Sequence, residues 1–287
     1  MHFSVRHETL YRFSLPVSLA PHVLRLNPRA DGDHMMIRSL TVAPTPVARH
    51  DATDRFGNRV THLSFEGLAD FLRIESCFDL DISAPAPLRD PGLPPLPWPS
   101  SPDAALADYR AGGGRQVAVQ AFAAALASES GWAALPFLDH LNQTLFTRFD
   151  RGIRIDGAAQ APAHTLAIGR GACRDLTVLF IAACRSLGIA ARFVSGYQAQ
   201  SETPREQRHL HSWPEVFLPD AGWRGFDPTH GKAVTDDHVA LCAAPDQAGT
   251  MPIEGSFCGN GVTASLDYRV QIAATAPIAQ RQRGLNP

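Results

Sequence analysis

The sequence predicts an α+β protein in which a cysteine-bearing helix packs on an antiparallel sheet and a β-rich domain precedes this core. Residues 1–83 contain several stretches that alternate between apolar and polar side chains, and residues 84–102 are rich in proline. An amphipathic helix near the middle of the chain is then followed by short strand-like stretches. We therefore predict a β-rich N-terminal domain at 1–83, a proline-rich linker at 84–102 and a core domain at 103–287 that includes the C-terminal strands.

Composition narrows the class of protein. The 287 residues leave room for two ordinary domains, and 45% of them are hydrophobic without a run long enough to span a bilayer. The N-terminus lacks the charged and apolar regions of a secretory signal, so we expect a cytoplasmic protein. The net charge of −2 and the lack of a dense basic run predict neither a nucleic-acid nor a membrane partner, and they leave the oligomeric state open. Five cysteines without a CxxC pair argue against a disulfide framework and a zinc site, so we expect no metal and no cofactor.

The N-terminal domain is predicted from period-two alternation. Residues 5–13, 60–65 and 72–82 alternate as half-buried strands do. Between them, residues 54–58 read Asp-Arg-Phe-Gly-Asn, which is typical of a turn.

The proline-rich stretch separates this domain from the core. Residues 84–102 contain eight prolines, which exclude a helix or a central strand and predict a semi-rigid linker or a strap on the surface. Three helices are predicted after it, at 103–110, 115–128 and 137–146.

The central helix carries the residue on which the functional prediction rests. Its apolar residues have helical spacing at positions 176, 179, 180, 183, 184 and 187. Gly188 is placed to end this helix, and Cys173 lies in its first turn. Unpaired N–H groups and the helix dipole at that position favour a thiolate over a thiol. A small buried cysteine without chemistry is the alternative, and Cys184, about 16 Å along the helix axis, is too far away to pair with Cys173.

Strands after the helix supply two further polar groups. We predict strands at 190–198, 211–218, 222–227 and 265–272. In a hairpin formed by the second and third of these, His211, Trp213 and Asp227 share one face. A turn centred on Pro219 would place Asp227 directly opposite His211, whereas a turn centred on Asp220 would place it opposite Trp213 and diagonal to His211.

Catalysis by a thiol requires a base that takes its proton and a third group that orients the base. Cys173, His211 and Asp227 would supply all three. Taken singly, each has a plain explanation: a buried cysteine, a strand histidine bonded to a backbone carbonyl, and an aspartate that caps the next turn. Their combination favours catalysis.

Four motifs occur in an order that resembles a known family. They are Gly-Ala-Cys-Arg-Asp at 171–175, Arg-Phe-Val-Ser-Gly-Tyr at 192–197, His-Ser-Trp-Pro-Glu-Val at 211–216 and Gly-Trp-Arg-Gly-Phe-Asp-Pro-Thr at 222–229. Together with shorter matches at 11–13, 24–28, 54–58, 238–239 and 252–255, they resemble the bacterial transglutaminase-like family, often labelled cysteine proteases, with its β-rich N-terminal domain. The resemblance implies a papain-like core in which Cys173 is the nucleophile, His211 the general base and acid, and Asp227 the residue that orients His211.

The chain departs from the family pattern at two places. Ser212 stands where alanine is usual, and strand alternation predicts that it faces away from the site and matters little. Residues 242–246 replace a Gly-Arg-Asp-Tyr-like stretch, which leaves open any substrate contact made there in relatives.

The leading hypothesis is a thiol acyl transferase or amide hydrolase that acts on a peptide or protein amide through a thioester. The triad does not distinguish water from an amine as the acceptor. The Cys173 N–H is the expected oxyanion donor, and Gln143, Gln160 and Trp132 are candidates for a second donor. Trp213 and Tyr197 are candidates to bind substrate in the acyl pocket, with core packing as the alternative.

Two other functions remain as alternatives, and a third is rejected. One is a catalytically silent binding module of the same fold, in which the N-terminal domain recognises the partner. A redox or metal protein that uses Cys173 with Cys184 fails on geometry. Acyl transfer from a thioester cofactor to an arylamine would use the same triad.

Overall fold

The computed structural model describes residues 1–29, 34–88, 92–99, 103–112, 116–154, 157–199 and 209–275. These residues form an α+β protein, as the sequence predicts. The strands in chain order are β1 (His2–Leu19), β2 (His22–Leu24), β3 (His34–Ala43), β4 (Ala48–Thr53), β5 (Arg59–Ser64), β6 (Ala69–Asp81), β7 (Asp150–Arg151), β8 (Arg170–Gly171), β9 (Ala191–Gln198), β10 (His211–Leu218), β11 (Gly222–Asp227), β12 (Lys232–Ala233), β13 (His238–Ala244), β14 (Ile253–Glu254), β15 (Phe257–Cys258) and β16 (Ala264–Thr275).

The helices lie between β6 and β9. They are α1 (Ala107–Arg110), α2 (Val117–Glu129), α3 (Ala134–Arg148), α4 (Pro162–Ile168) and α5 (Cys173–Ser186), with short 3-10 helices at Ala104–Leu106 and Ala248–Thr250. The predicted helices at 115–128 and 137–146 correspond to α2 and α3, and the one at 103–110 divides into a 3-10 turn and α1. Within the described residues no single helix has the length and hydropathy of a membrane span; α2 and α3 meet that criterion only as a pair bent by 119°.

The core is built on an antiparallel sheet with the strand order β12-β11-β10-β9-β13. Leu218 lies opposite Gly222 in the β10–β11 hairpin, so the turn centres on Asp220, which has a φ of 63°. Of the two registers considered above, this is the one that places Asp227 opposite Trp213 and diagonal to His211.

Helix α5 packs on one face of this sheet. Its apolar side chains and those of the sheet belong to one buried cluster, in which the rings of Phe180 and Phe226 stack with centroids 5.6 Å apart. Val216 and Leu218 of β10 join that cluster, whereas Trp213 points to the opposite face. The helix therefore covers the face of β10 that carries the even-numbered residues.

The C-terminal strand belongs to the N-terminal domain, which corrects the predicted domain assignment. β16 pairs with β1 along its whole length, from Phe13 opposite Ala264 to His2 opposite Thr275. The predicted strand at 265–272 exists, but local alternation does not reveal a partner more than 250 residues away.

The N-terminal domain packs against the core sheet. Tyr197 of β9 and Val239 of β13 lie in the same buried cluster as Phe3 and Leu24 of the domain. Asn58, which ends the predicted turn, is fully buried, and its side-chain amide pairs with both backbone groups of Ala243 at 2.8 and 2.9 Å. The turn motif thus fixes the domain to β13.

The proline-rich segment is a strap rather than a free linker. The Leu96 N–H donates to the Trp132 carbonyl at 2.8 Å, and the Trp98 N–H donates to the Leu187 carbonyl at 2.9 Å. Gly188 ends α5 with a φ of +81°, and a Cβ there would lie 2.2 Å from the Trp98 carbonyl oxygen. The strap therefore covers the C-terminal end of α5.

Candidate active site

Cys173 is the first residue of α5, as the sequence predicts, and its helix turn is held by a buried carboxylate. Asp175 Oδ2 accepts a hydrogen bond from the Ala172 N–H at 2.8 Å, and its Oδ1 accepts from Arg154 at 2.6 Å and from the Gln160 N–H at 2.8 Å. A Cβ at Gly171 would lie 2.8 Å from the Asp175 Cβ, so the approach to the helix requires a glycine. These contacts fix the position of the Cys173 backbone.

His211 begins β10 and lies between the thiol and a buried carboxylate. Its Nε2 is 2.8 Å from Asp227 Oδ2, and its ring lies close enough to the Cys173 thiol for the two groups to shift each other's pKa. Because Nε2 contacts Asp227, Nδ1 is the ring nitrogen left for the thiol. The structure therefore brings Cys173, His211 and Asp227 together, with His211 between the thiol and the carboxylate.

Asp227 is fully buried at the end of β11 and accepts several hydrogen bonds. Its Oδ1 accepts from the Thr229 N–H at 2.9 Å, and its Oδ2 contacts ring nitrogens of His230 at 2.7 Å and His238 at 3.0 Å as well as that of His211. Sequence reasoning missed His230 and His238, although residues 238–239 were among the shorter family matches.

The pKa shifts follow from this arrangement. Burial raises the pKa of the Cys173 thiol, but the hydrogen bond and charge of His211 and hydrogen bonds from Ser212 outweigh it and bring the pKa below its usual value. Burial lowers the pKa of His211, but Asp227 and then Cys173 raise it to about 10. Burial raises the pKa of Asp227, yet His211, His230 and His238 hold it well below its usual range. The site therefore favours a thiolate beside an imidazolium.

Ser212 lies beside Cys173, so the prediction that it faces away is wrong. Its side chain and backbone lower the pKa of the Cys173 thiol, and its Oγ lies 3.5 Å from Thr177 Oγ1 of the same helix. Alternation does place Ser212 on the face opposite to Trp213, but α5 covers that face. Cys173 reaches His211 because both residues lie at the ends of their elements.

The two predicted pocket residues lie in the interior. Trp213 is fully buried between His211 and His238, with ring centroids 6.1 and 5.0 Å away. Tyr197 is also fully buried, and its hydroxyl lies 2.7 Å from His7 Nδ1 of the N-terminal domain. Contact of either side chain with a substrate would require the elements around it to move, so that role stays a prediction.

The three candidates for a second oxyanion donor lie in different places. Gln143 donates to the Gly231 carbonyl, and Trp132 lies at the other end of α3. Gln160 is bonded to Asp175, two residues after Cys173, and its Oε1 accepts from Thr165 at 3.1 Å. Of the three candidates, Gln160 is thus the one that is hydrogen-bonded to a residue in the first turn of α5.

The ring nitrogens of His211 and His230 and the carboxylate of Asp227 lie within 4.8 Å of one another, and these are donor types that metals use. Both nitrogens already contact the Asp227 carboxylate at hydrogen-bond distance. Hydrogen bonding therefore accounts for this cluster.

Comparison with known proteins agrees with this fold. Residues 133–228 match the family model of the transglutaminase-like superfamily, and residues 3–81 match that of the bacterial transglutaminase-like N-terminal region. The chain therefore combines a transglutaminase-like core with a bacterial transglutaminase-like N-terminal domain.

Relatives extend the similarity over most of the chain. An uncharacterized protein of Mycobacterium tuberculosis is 26% identical over 94% of this chain and 92% of its own length. One of Mycobacterium leprae is 30% identical over 37% of this chain and 39% of its own length. The crystal structure of a candidate cysteine protease from Cytophaga hutchinsonii covers 96% of this chain and 91% of its own, with a TM-score of 0.71 and 18% identity. That structural likeness shows the fold.

Proposed function

We propose that the protein is a thiol acyl transferase or amide hydrolase that acts on peptide or protein amides through a thioester at Cys173. The observation that carries this proposal is the position of His211 between the Cys173 thiol, whose pKa it lowers, and the buried Asp227, with 2.8 Å between His211 Nε2 and Asp227 Oδ2. A thiol next to an oriented imidazole is the arrangement that nucleophilic catalysis needs.

The reaction follows from the protonation states. The Cys173 thiolate attacks the amide carbonyl, and the oxyanion that forms is stabilised by the N–H of Cys173 at the start of α5. His211 transfers its proton to the nitrogen of the leaving amine as the C–N bond breaks, which leaves a thioester on Cys173. Neutral His211 then accepts a proton from water or an acceptor amine as it attacks, and the acid or new amide is released with the thiolate restored.

The test is to trap the acyl-enzyme. The protein is incubated with a mixture of glutamine-containing peptides, quenched with acid, digested and analysed by mass spectrometry for a hydroxylamine-sensitive mass on the Cys173 peptide. We expect this adduct in the wild-type protein and in Cys258→Ala, a matched control at an exposed cysteine. The adduct should be absent from Cys173→Ala and strongly reduced in His211→Ala.

A second arm identifies the acceptor. Addition of ethylamine would yield an ethylamide if amines are accepted and only the acid if water is preferred. If no adduct or product forms and the Cys173 thiol alkylates at pH 6 no faster than Cys258, the catalytic proposal is refuted. The fold would then serve as a catalytically silent binding module.

A further inference from the structure

Behind Asp227 lies a second group of charged side chains that the proposed reaction does not use. His238, the first residue of β13, is 4% exposed; its Nε2 lies 3.0 Å from Asp227 Oδ2 and its Nδ1 lies 2.7 Å from Asp237 Oδ1. Asp237 is in turn ion-paired with Lys232, the single lysine of the chain, and accepts a hydrogen bond from Thr235 at 3.0 Å. His238 lies beyond the residues that match the core family model.

The chemistry of these contacts requires His238 to act as a donor in two directions. Carboxylate oxygens only accept hydrogen bonds, so the contacts to Asp227 and Asp237 are both satisfied when both ring nitrogens carry hydrogen. Buried carboxylates are stable when such donors pair with them. Carboxylates and nitrogen-bearing side chains thus alternate from His211 through Asp227, His238 and Asp237 to Lys232.

The position of His238 in the fold indicates what its contact with Asp227 can do. Asp227 ends β11, and the chain then turns, so its carboxylate is contacted by Thr229 and His230 of that turn. His238 is instead held in the sheet, where it pairs with Gln198 of β9, and its ring packs edge-on against Trp213. A donor held in β13 can therefore hold the Asp227 carboxylate toward His211.

We propose that His238 is a positioning residue that holds Asp227 toward His211 and, with Asp237 and Lys232 behind it, supports the ion pair between Cys173 and His211. This inference rests on the proposed function, because it concerns the same triad. The titratable groups that face His238 are Asp227 from β11, Asp237 next to it in sequence and His211 from β10, with ring centroids 6.0 Å apart. His230 and Lys232 reach it through the two carboxylates.

Two substitutions at His238 separate the effect of its hydrogen bond to Asp227 from the effect of side-chain packing. The amide of His238→Gln lies near the position of Nε2 and can still donate to Asp227, whereas the amide of His238→Asn lies near Nδ1 and can donate only to Asp237. Both variants lose the ring and keep a donor to one of the two carboxylates, so the difference between their rates reports the hydrogen bond to Asp227. His62→Gln, an exposed histidine of the N-terminal domain, is the control.

The measurement is the rate of alkylation of Cys173 by limiting iodoacetamide at pH 5.5, followed by peptide mass spectrometry. We expect His238→Asn to react at least about tenfold more slowly than His238→Gln, which should retain most of the wild-type rate. Equal rates in the two variants would overturn the proposal, because loss of packing alone would affect both alike.

If neither His238 variant folds, two variants of Lys232 test the proposal instead. Lys232→Met removes the outer charge at a side chain that is 29% exposed, and Lys232→Arg retains it. We expect a lower alkylation rate in Lys232→Met and a rate near that of wild type in Lys232→Arg; a wild-type rate in both would refute the proposal. Failure of the proposed function is distinct, since it would show as slow Cys173 alkylation in the wild-type protein itself.

Discussion

The contact between the N-terminal domain and the core contains a histidine that should make the protein sensitive to acid. His7 of β1 is 3% exposed, with Nδ1 2.7 Å from the Tyr197 hydroxyl and Nε2 3.1 Å from Thr9 Oγ1. Burial lowers its pKa to about 4. The folded protein therefore holds His7 neutral at a pH at which the unfolded chain would protonate it.

The magnitude follows from linkage. With a pKa of about 4 in the folded state and about 6.5 in the unfolded state, the unfolded chain binds more protons between these values, so the free energy of unfolding falls as pH falls through this window. Between pH 7 and pH 4.5 this single group should cost about 2 kcal/mol, and the cost approaches about 3 kcal/mol near pH 4.

The assay compares urea unfolding of the wild type and of His7→Gln at pH 7 and at pH 4.5. Carboxylates and the other histidines are common to both proteins, so their contributions cancel in the comparison. We expect the variant to be less stable at pH 7, because one hydrogen bond is lost, but to lose about 2 kcal/mol less than the wild type on acidification. His62→Gln, which is exposed, should follow the wild type. If acidification destabilises His7→Gln as much as the wild type, His7 is not held neutral by burial.

Three further substitutions test separate contacts. Ser212→Ala removes a hydroxyl that lowers the pKa of the Cys173 thiol and should therefore raise that pKa, seen as a shift of the pH profile of its alkylation to higher pH; an unchanged profile would contradict the contact. Gly188→Ala places a Cβ against the Trp98 carbonyl at a positive φ and should lower the free energy of unfolding by at least about 2 kcal/mol in urea, with earlier proteolysis of the strap; unchanged stability would refute the packing. Asn58→Ala leaves two backbone groups of β13 without partners and should cost about 3 kcal/mol in the same assay, and a loss below about 1 kcal/mol would argue against the buried contact.

Local patterns in the sequence are sufficient to predict the elements that carry Cys173, His211 and Asp227. Helical spacing placed Cys173 at the start of α5, and alternation placed His211 and Asp227 on one face of a hairpin. The turn centre between them stayed open because Pro219 and Asp220 are both compatible with a turn. A backbone dihedral at Asp220 decided it, and such a dihedral is not encoded in periodicity.

Two features could not be predicted from local patterns: the pairing of strands that are distant in sequence, and the face of the sheet that α5 covers. β13 reads as a nearly continuous apolar run, so its alternation is hidden, and His238 was therefore not placed beside Asp227. Ser212 was assigned to the correct face of β10, but the sequence does not say which face α5 covers. The partner of β16 lies at the opposite end of the chain.

The pairing of β1 with β16 has a consequence for synthesis of the protein. β1 is bonded to β6 on one side and to β16 on the other, so one edge of an 18-residue strand stays without its partner until residues 264–275 have left the ribosome. An open strand edge is a template for pairing with another chain. The N-terminal domain, although made first, is completed last, and a fragment that ends before residue 264 should aggregate through β1 even though it contains the entire candidate active site.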